Sequence, residues 1–157
     1  MKIAVISDTH GNVQLAVKAL KQTGGVDRLI HLGDHYQDAL EIGSKTGIHV
    51  EAVAGNCDIN SDPWAIREKT IQANGARLFI THGDIYCVKQ GIERLIEKAV
   101  TEEVQAVLFG HTHLPMKQRI GSILFLNPGC ILSNNSSNSL ALLEVADSRA
   151  DGKIIKI

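Results

Sequence analysis

The run Ile3-Ala4-Val5-Ile6 is apolar at every position and stops at Ser7-Asp8. A strand with no polar side is buried on both faces, so it belongs inside a layered structure. The next stretch, Asn12 to Thr23, spaces its apolar residues helically at Val13, Leu15-Ala16-Val17 and Ala19-Leu20, and ends at Gly24-Gly25. Leu29 to Leu32 reads as a second strand, Asp38 to Lys45 as a short helix, and Ile48 to Ala54 as a third strand. This βαβ rhythm builds a parallel sheet. With 157 residues, 44% of them hydrophobic, the chain can bury a substantial core, and one domain over residues 1–157 is expected.

The second half changes pattern. Glu68 to Ile71 and Arg77 to Ile80 flank Asn74-Gly75, a strong hairpin signal. Val88 to Thr101 reads as an amphipathic helix with Ile92, Leu95, Ile96 and Ala99 on one face. Val104 to Phe109 is another buried strand. Met116–Ile120 and Ile123–Leu126 surround Gly121-Ser122, and Leu140–Val145 and Lys153–Ile157 surround Asp151-Gly152. Both pairs read as hairpins. Ser133 to Ser139 is polar and low in complexity, as expected of an exposed loop. There is no internal repeat and no linker.

Five polar clusters interrupt this apolar background: Asp8-Thr9-His10, Gly33-Asp34, Gly55-Asn56-Cys57-Asp58, Thr81-His82-Gly83-Asp84 and Gly110-His111-Thr112-His113. Each follows a predicted strand. Ligands of open α/β sheets bind at that carboxyl edge, so clusters far apart in sequence can meet there. Gly-Asp alone is ordinary turn chemistry, and Asp-x-His alone says little. The set as a whole offers Asp8, His10, Asp34, Asn56, His82, His111 and His113. Carboxylate, imidazole and amide oxygen suit divalent ions: manganese first, with nickel, iron, cobalt and zinc also compatible. Seven ligands exceed what one open site takes from a protein and match two ions sharing a carboxylate. Paired ions, roughly 3.5–4 Å apart, activate water and neutralise phosphoryl charge.

In this order the motifs Asp8-x-His10, Gly33-Asp34, Gly55-Asn56-x-Asp58, His82 and Gly110-His111-x-His113 resemble those of the calcineurin-like metallophosphoesterases. Asn127-Pro128-Gly129 resembles a turn of that family's short prokaryotic phosphodiesterases. The resemblance spans roughly Ile3 to Gly129. It implies an α/β fold, a four-layer α-β-β-α sandwich with two mixed β-sheets. It further implies one ion on Asp8, His10, Asp34 and His113, and another on Asp34, Asn56, His82 and His111, with Asp34 bridging. The implied reaction is hydrolysis of a small phosphodiester by metal-activated water. A phosphomonoesterase or nucleotidase on the same site is the alternative. So is a non-catalytic scaffold like the retromer subunit of this fold, although that kind of scaffold lacks the His that stands here as His10.

Asn56, Cys57 and Asp58 are the catalytic candidates. Many family members carry a His where Cys57 stands, and that His protonates the leaving group. A thiol is the weaker acid, with a reference pKa near ~8.5 against ~6.5 for His, so Asp58 or a water is the alternative proton donor. Asp84 and Cys130 also depart from the family pattern. Ser7 and Thr9 read as structural, His31 as a hydrogen-bonded core residue, and His35 as a candidate pocket residue. His49 reads as a solvated strand face, Asp27 and Asp38 as turn or cap residues, and Cys87 and Cys130 as small buried hydrophobes. Trp64 is open to three readings: a shield over the site, a platform for a substrate ring, or packing.

The net charge is −1, without a basic block, so duplex nucleic acid is not an expected partner. An odd three cysteines without a Cys-x-x-Cys spacing point to a reducing cytoplasm. The N-terminal apolar run is too short for a signal peptide or a membrane span. A homo-oligomer is compatible with the sequence.

Overall fold

The computed structural model describes residues 1–133 and 135–157. In chain order these form β1 (Lys2–Ile6), α1 (Val13–Lys21), β2 (Arg28–His31), α2 (Asp38–Thr46), β3 (His49–Ala52), β4 (Glu68–Ala73) and β5 (Ala76–Thr81). A 3-10 turn (Asp84–Tyr86) leads to α3 (Glu93–Thr101). The remainder is β6 (Ala106–Leu108), β7 (Met116–Ile120), β8 (Ile123–Asn127), β9 (Ser139–Ala146) and β10 (Arg149–Lys156).

The strands make two five-stranded sheets, ordered β10-β9-β1-β2-β3 and β4-β5-β6-β8-β7. Both are mixed. In the first, β1, β2 and β3 run parallel and β9 is antiparallel to β1. In the second, β5, β6 and β8 run parallel while β4 and β7 are antiparallel edges.

The strictly apolar strands explain the layering. Side chains alternate across a strand, so Ile3 and Val5 enter the core between the sheets, with Ile30, Leu78, Ile80, Leu108 and Leu126. Ala4 and Ile6 face the opposite way and pack against Val13, Val17 and Leu20 of α1 and Ile42 of α2. On the far side of the second sheet, Phe79, Val107 and Phe125 pack against Leu95 and Ala99 of α3. Three apolar layers therefore separate four structural ones, the α-β-β-α sandwich.

Two expected element bounds change. Val88 to Thr101 is not one helix: α3 begins at Glu93. Upstream, Cys87 takes a left-handed conformation (φ 55°) and Gly91 sits at φ 157°, so the chain turns before the amphipathic face starts. The last hairpin turns at Asp147-Ser148, which both have positive φ, and not at Asp151-Gly152. Two left-handed central residues suit the twist of a two-residue hairpin. Gly152 lies within β10, where a Cβ would stand 2.9 Å from Leu126 Cδ2. The glycine there marks close packing between sheets, not a turn. The expected exposed loop over Ser133 to Ser139 includes Asn134, which lies outside the described residues. Its end is buried at Asn138 and Ser139, and the Asn138 side chain exchanges two hydrogen bonds with the Leu132 backbone.

Gly152→Val tests this packing. Overfilling a tight core costs about 1–3 kcal/mol, so the variant should unfold at lower urea concentration with an unchanged slope. An unchanged or higher midpoint would show that the sheets have room at this point.

Candidate metal centre

All five polar clusters lie where strands end. Asp8 and His10 follow β1, Asp34 follows β2, and Asn56, Cys57 and Asp58 follow β3 in one sheet. His82 follows β5, and His111 and His113 follow β6, in the other. Backbone links sew these ends together. The Asp8 amide donates to the Gly33 carbonyl (3.0 Å) and the Gly110 amide to the His82 carbonyl (2.9 Å). Across the sheets, His82 Nδ1 lies 2.8 Å from the Leu32 carbonyl oxygen, and the His111 amide donates to Asp8 Oδ2 at 3.2 Å.

One ligand atom each from Asp8, His10, Asp34 and His113 lies within 4.8 Å of the other three. His113 Nε2 is 3.1 Å from Asp8 Oδ1, and His10 Nε2 is 3.7 Å from Asp34 Oδ2. Asp8 Oδ1 and His10 Nε2 are buried without a well-formed hydrogen bond. Buried polar atoms are normally satisfied, and here His10 Nε2 has no partner while Asp8 Oδ1 has only its close approach to His113. A divalent cation fits both. Burial pushes the Asp8 carboxyl up, but contact with His113 and the charge of His82 outweigh it and hold Asp8 below the usual carboxylate range. The same contact raises His113.

A second, looser group adjoins through Asp34. The His82 ring is fully buried. Its Nδ1–H is committed to the Leu32 carbonyl, which leaves the Nε2 lone pair facing inward. That atom is 3.5 Å from Asp34 Oδ1 and 3.1 Å from His111 Nδ1. Burial, then the charges of His82 and Lys89, push His111 down, toward the neutral imidazole that a metal requires. Asn56 is exposed, and the contact its side chain makes is with its neighbour, the amide nitrogen 3.5 Å from Cys57 Sγ.

The loops that carry the ligands are strained. Asp8, His10, Asp34, His35, His111 and His113 all have positive φ, between 43° and 67°. Asp and His tolerate that region better than most residues, yet each instance costs about 1–3 kcal/mol. Two carboxylates, the buried Asp58 and the half-buried Asp38, hold the loops in place. Asp58 Oδ1 accepts the His35 and Tyr36 amides (2.8 and 3.2 Å), and Oδ2 accepts the Gly55 amide (2.8 Å). Both Asp58 oxygens thus stitch the Asp34 loop to the Asn56 loop. Asp38 Oδ2 accepts the Gly11 amide and the Thr9 hydroxyl. Behind Thr9 stands His31, fully buried, with Nε2 2.9 Å from Thr9 Oγ1 and Nδ1 accepting the Gly33 amide. Asp38 therefore braces the first motif, a role its likeness to a helix cap conceals. Gly55 permits the closeness: a Cβ there would collide with the Asp34 carboxylate.

The remaining candidates find definite places. Cys57 donates its amide and its thiol to Asp34, at 2.9 Å to Oδ1 and 3.2 Å to Oδ2. Partial desolvation and the Asp34 carboxylate push the thiol up to about 11. Asp84 pairs with Arg67. His35 sets its ring 5.2 Å from that of His10. His49 is exposed beside Glu51. Asn127 donates to the Gly110 carbonyl (2.8 Å) and Thr112 Oγ1 (3.1 Å), so the Asn-Pro-Gly turn supports the His111 loop. Cys130 is buried as expected, whereas Cys87 is partly exposed beside Arg94. Sequence reasoning passed over Lys89, whose charge reaches both His111 and His113. Only its position seven residues after His82 hinted at it. A cavity of about 1170 Å³ lies at the opposite edge of the sheets, among residues such as Gln105, Arg119 and Arg149.

Residues 1–148 match the family model of the calcineurin-like phosphoesterase superfamily domain. The chain belongs to that family. The phosphodiesterase YfcE of Escherichia coli K12 is 29% identical over 157 residues, covering 83% of this chain and 79% of its own. A predicted phosphoesterase from Streptococcus pneumoniae TIGR4 superposes with a TM-score of 0.80 at 26% identity, over 99% of this chain and 88% of its own. Vps29 of Entamoeba histolytica, crystallised with zinc, shares the fold: TM-score 0.76, 20% identity, 99% of both chains. No helix among the described residues is long and apolar enough to cross a membrane.

The braces make stability pH-dependent. Burial, against the charges of Asp38, Asp8 and Asp58, lowers His31 to about 4. The unfolded chain protonates this His near ~6.5 and the native protein does not. The stabilisation is therefore complete above pH 6.5, is lost as pH falls from 6.5 to about 4, and amounts to about 3 kcal/mol. In urea titrations with chelator present, His31→Gln should show a shallower loss of stability over that window than wild type. Parallel curves would exclude His31 as the source.

Proposed function

We propose that this protein is a dinuclear metal-dependent phosphodiesterase. The observation that carries the proposal is the convergence of ligand atoms from Asp8, His10, Asp34 and His113 within 4.8 Å of one another, with His10 Nε2 buried and without a hydrogen bond. The likeness to YfcE, named a phosphodiesterase, supports diesters over monoesters as substrates. Asp8, His10, Asp34 and His113 would hold one ion, and Asp34, Asn56, His82 and His111 the other. Ions held there lower the pKa of water toward about 7 and neutralise phosphoryl charge.

The chain's own groups set the rest of the chemistry. The Leu32 carbonyl fixes the His82 tautomer, and Cys57 orients Asp34 through its amide and thiol. Asp58, with both oxygens accepting backbone amides, suits positioning better than proton delivery. That leaves Cys57 facing the leaving-group role, and a thiol this reluctant to ionise is a weak acid. The enzyme then favours esters whose departing oxygen needs no proton, such as aryl or enol-like ones. General acids typically contribute about 10²–10⁴-fold where they are needed. The scaffold reading differs on one point: a scaffold binds metal without turnover.

Manganese-loaded protein should hydrolyse bis(p-nitrophenyl) phosphate, and Asp34→Asn should lose both metal occupancy and nearly all of that activity. Full occupancy with a rate near wild type in Asp34→Asn would remove the shared-carboxylate assignment. Cys57→Ala should change kcat/KM on the aryl diester less than about threefold. Cys57→His should help alkyl leaving groups more than aryl ones. A loss of about a hundredfold in Cys57→Ala, with metal intact, would make the thiol catalytic.

A further inference from the structure

The chain has one Trp, two Tyr and three Phe. All three Phe are buried, and both Tyr hydroxyls donate to carboxylates. The single Trp64 is 93% exposed, so the packing reading does not hold for it. Its backbone, in contrast, is well anchored. Residues 55 to 65 form a loop closed at its base by the Ala54 amide on the Ile66 carbonyl (2.8 Å). Inside, the Asp58 carbonyl accepts the Ser61 and Asp62 amides, and the Asp62 carbonyl accepts the Ala65 amide. The Asp62 side chain joins two further points: Oδ1 accepts the Trp64 amide (3.2 Å), and Oδ2 accepts the Tyr36 hydroxyl (2.8 Å). Tyr36 is two residues beyond Asp34. One limb of this loop carries Asn56 and Cys57, and the other holds up the indole. With Cα atoms at most 3.8 Å apart per residue, Trp64 lies within about 12 Å of the Ala54 backbone.

The loop after His82 carries a cation. Lys89 is exposed and has no carboxylate within ion-pair distance among the described residues. Its segment folds back on the ligand loop, with the Val88 amide on the Gly83 carbonyl at 3.4 Å. An aromatic face and an unpaired ammonium thus stand on two loops that each carry metal-ligand candidates.

We infer that these two residues select the substrate, a phosphodiester with a flat aromatic ester group whose ring stacks on the Trp64 indole while its phosphate charge meets Lys89. The inference rests on the phosphoesterase reading of the same strand-end site. Stacking on an exposed aromatic side chain is worth about 1–3 kcal/mol, and tenfold in affinity corresponds to about 1.4 kcal/mol.

Phenylphosphonate and methylphosphonate, which carry the same anion with and without a ring, test this on the manganese-loaded protein. Trp64 is the only Trp, so its emission reports on its own surroundings. Phenylphosphonate should quench that emission and bind about tenfold tighter than methylphosphonate. By calorimetry the preference should vanish in Trp64→Ala and largely survive in Trp64→Tyr. Lys89→Ala should weaken both probes by the same factor. Equal affinities in wild type, or a preference that survives Trp64→Ala, overturns the inference. Turnover of bis(p-nitrophenyl) phosphate by the same preparations separates the two readings. Active protein without phenyl preference sinks only the ring recognition. Inert protein that keeps the preference sinks the phosphodiesterase reading and retains the aromatic anion site.

Discussion

Two carboxylates buried side by side set the terms for the whole ligand edge. Asp8 is fully buried and Asp34 is nearly so, and they share the imidazole of His82, whose Nε2 is 3.9 and 3.5 Å away. Burying one unpaired carboxylate costs several kcal/mol, and burying two together costs more, because each disfavours ionisation of the other. Some positive charge must gather at this spot for the fold to hold. His113, whose contact with Asp8 favours its protonated form, supplies part of it. The buried atoms that no hydrogen bond reaches leave room for cations to supply the rest. The left-handed ligand residues belong to the same account. They turn the loops sharply enough to bring five strand ends to one point, and Asp58 and Asp38 hold those turns through backbone amides.

Much of this was legible in the sequence, for a physical reason. Apolar runs bounded by Asp, Asn, His and Gly fix both where strands stop and which polar groups sit at their ends. The ligand edge could therefore be assembled before any distance was known. What escaped were features whose signals are shared by two causes. Asp151-Gly152 looks like a turn because glycine permits one, but the same missing side chain also permits two sheets to touch, and Gly152 serves the second purpose. The residues before Glu93 are amphipathic without being helical, because Val88 is apolar for its contact at Gly83. Asp38 reads as a cap and Asp58 as part of a motif, yet both act through backbone amides whose partners are contiguous only in space.

Cys57 shows how a small change in one side chain alters chemistry while leaving geometry alone. Its amide hydrogen bond to Asp34 is available to any residue at that position. The thiol adds a second, weaker bond to the other oxygen. Imidazole there would bring a group that exchanges protons near neutral pH. The sulfur brings one that keeps its proton, since the carboxylates around it oppose a thiolate. The amide contact that orients Asp34 is thus separable from the proton chemistry of the side chain beside it.

The ligand set also couples the site to the packing of the sandwich. Asp8, His10, Asp34 and Asn56 come from the sheet holding β1 to β3, whereas His82, His111 and His113 come from the sheet holding β5 and β6. Any ion held by Asp8 and His113 joins the two sheets directly, as does one held by Asp34 and His82. Such an ion binds the native chain and has no preformed site in the unfolded one, so its affinity adds to folding stability. The direction also reverses. A change that shifts one sheet against the other, even among the apolar residues between them, moves ligands on one side relative to those on the other. Ligand geometry is demanding on the scale of a few tenths of an ångström. The tight contacts of the central layer, such as Gly152 against Leu126, therefore act on the chemistry as well as on stability. Asp34, with oxygens 3.7 Å from His10 Nε2 and 3.5 Å from His82 Nε2, sits where the two effects meet.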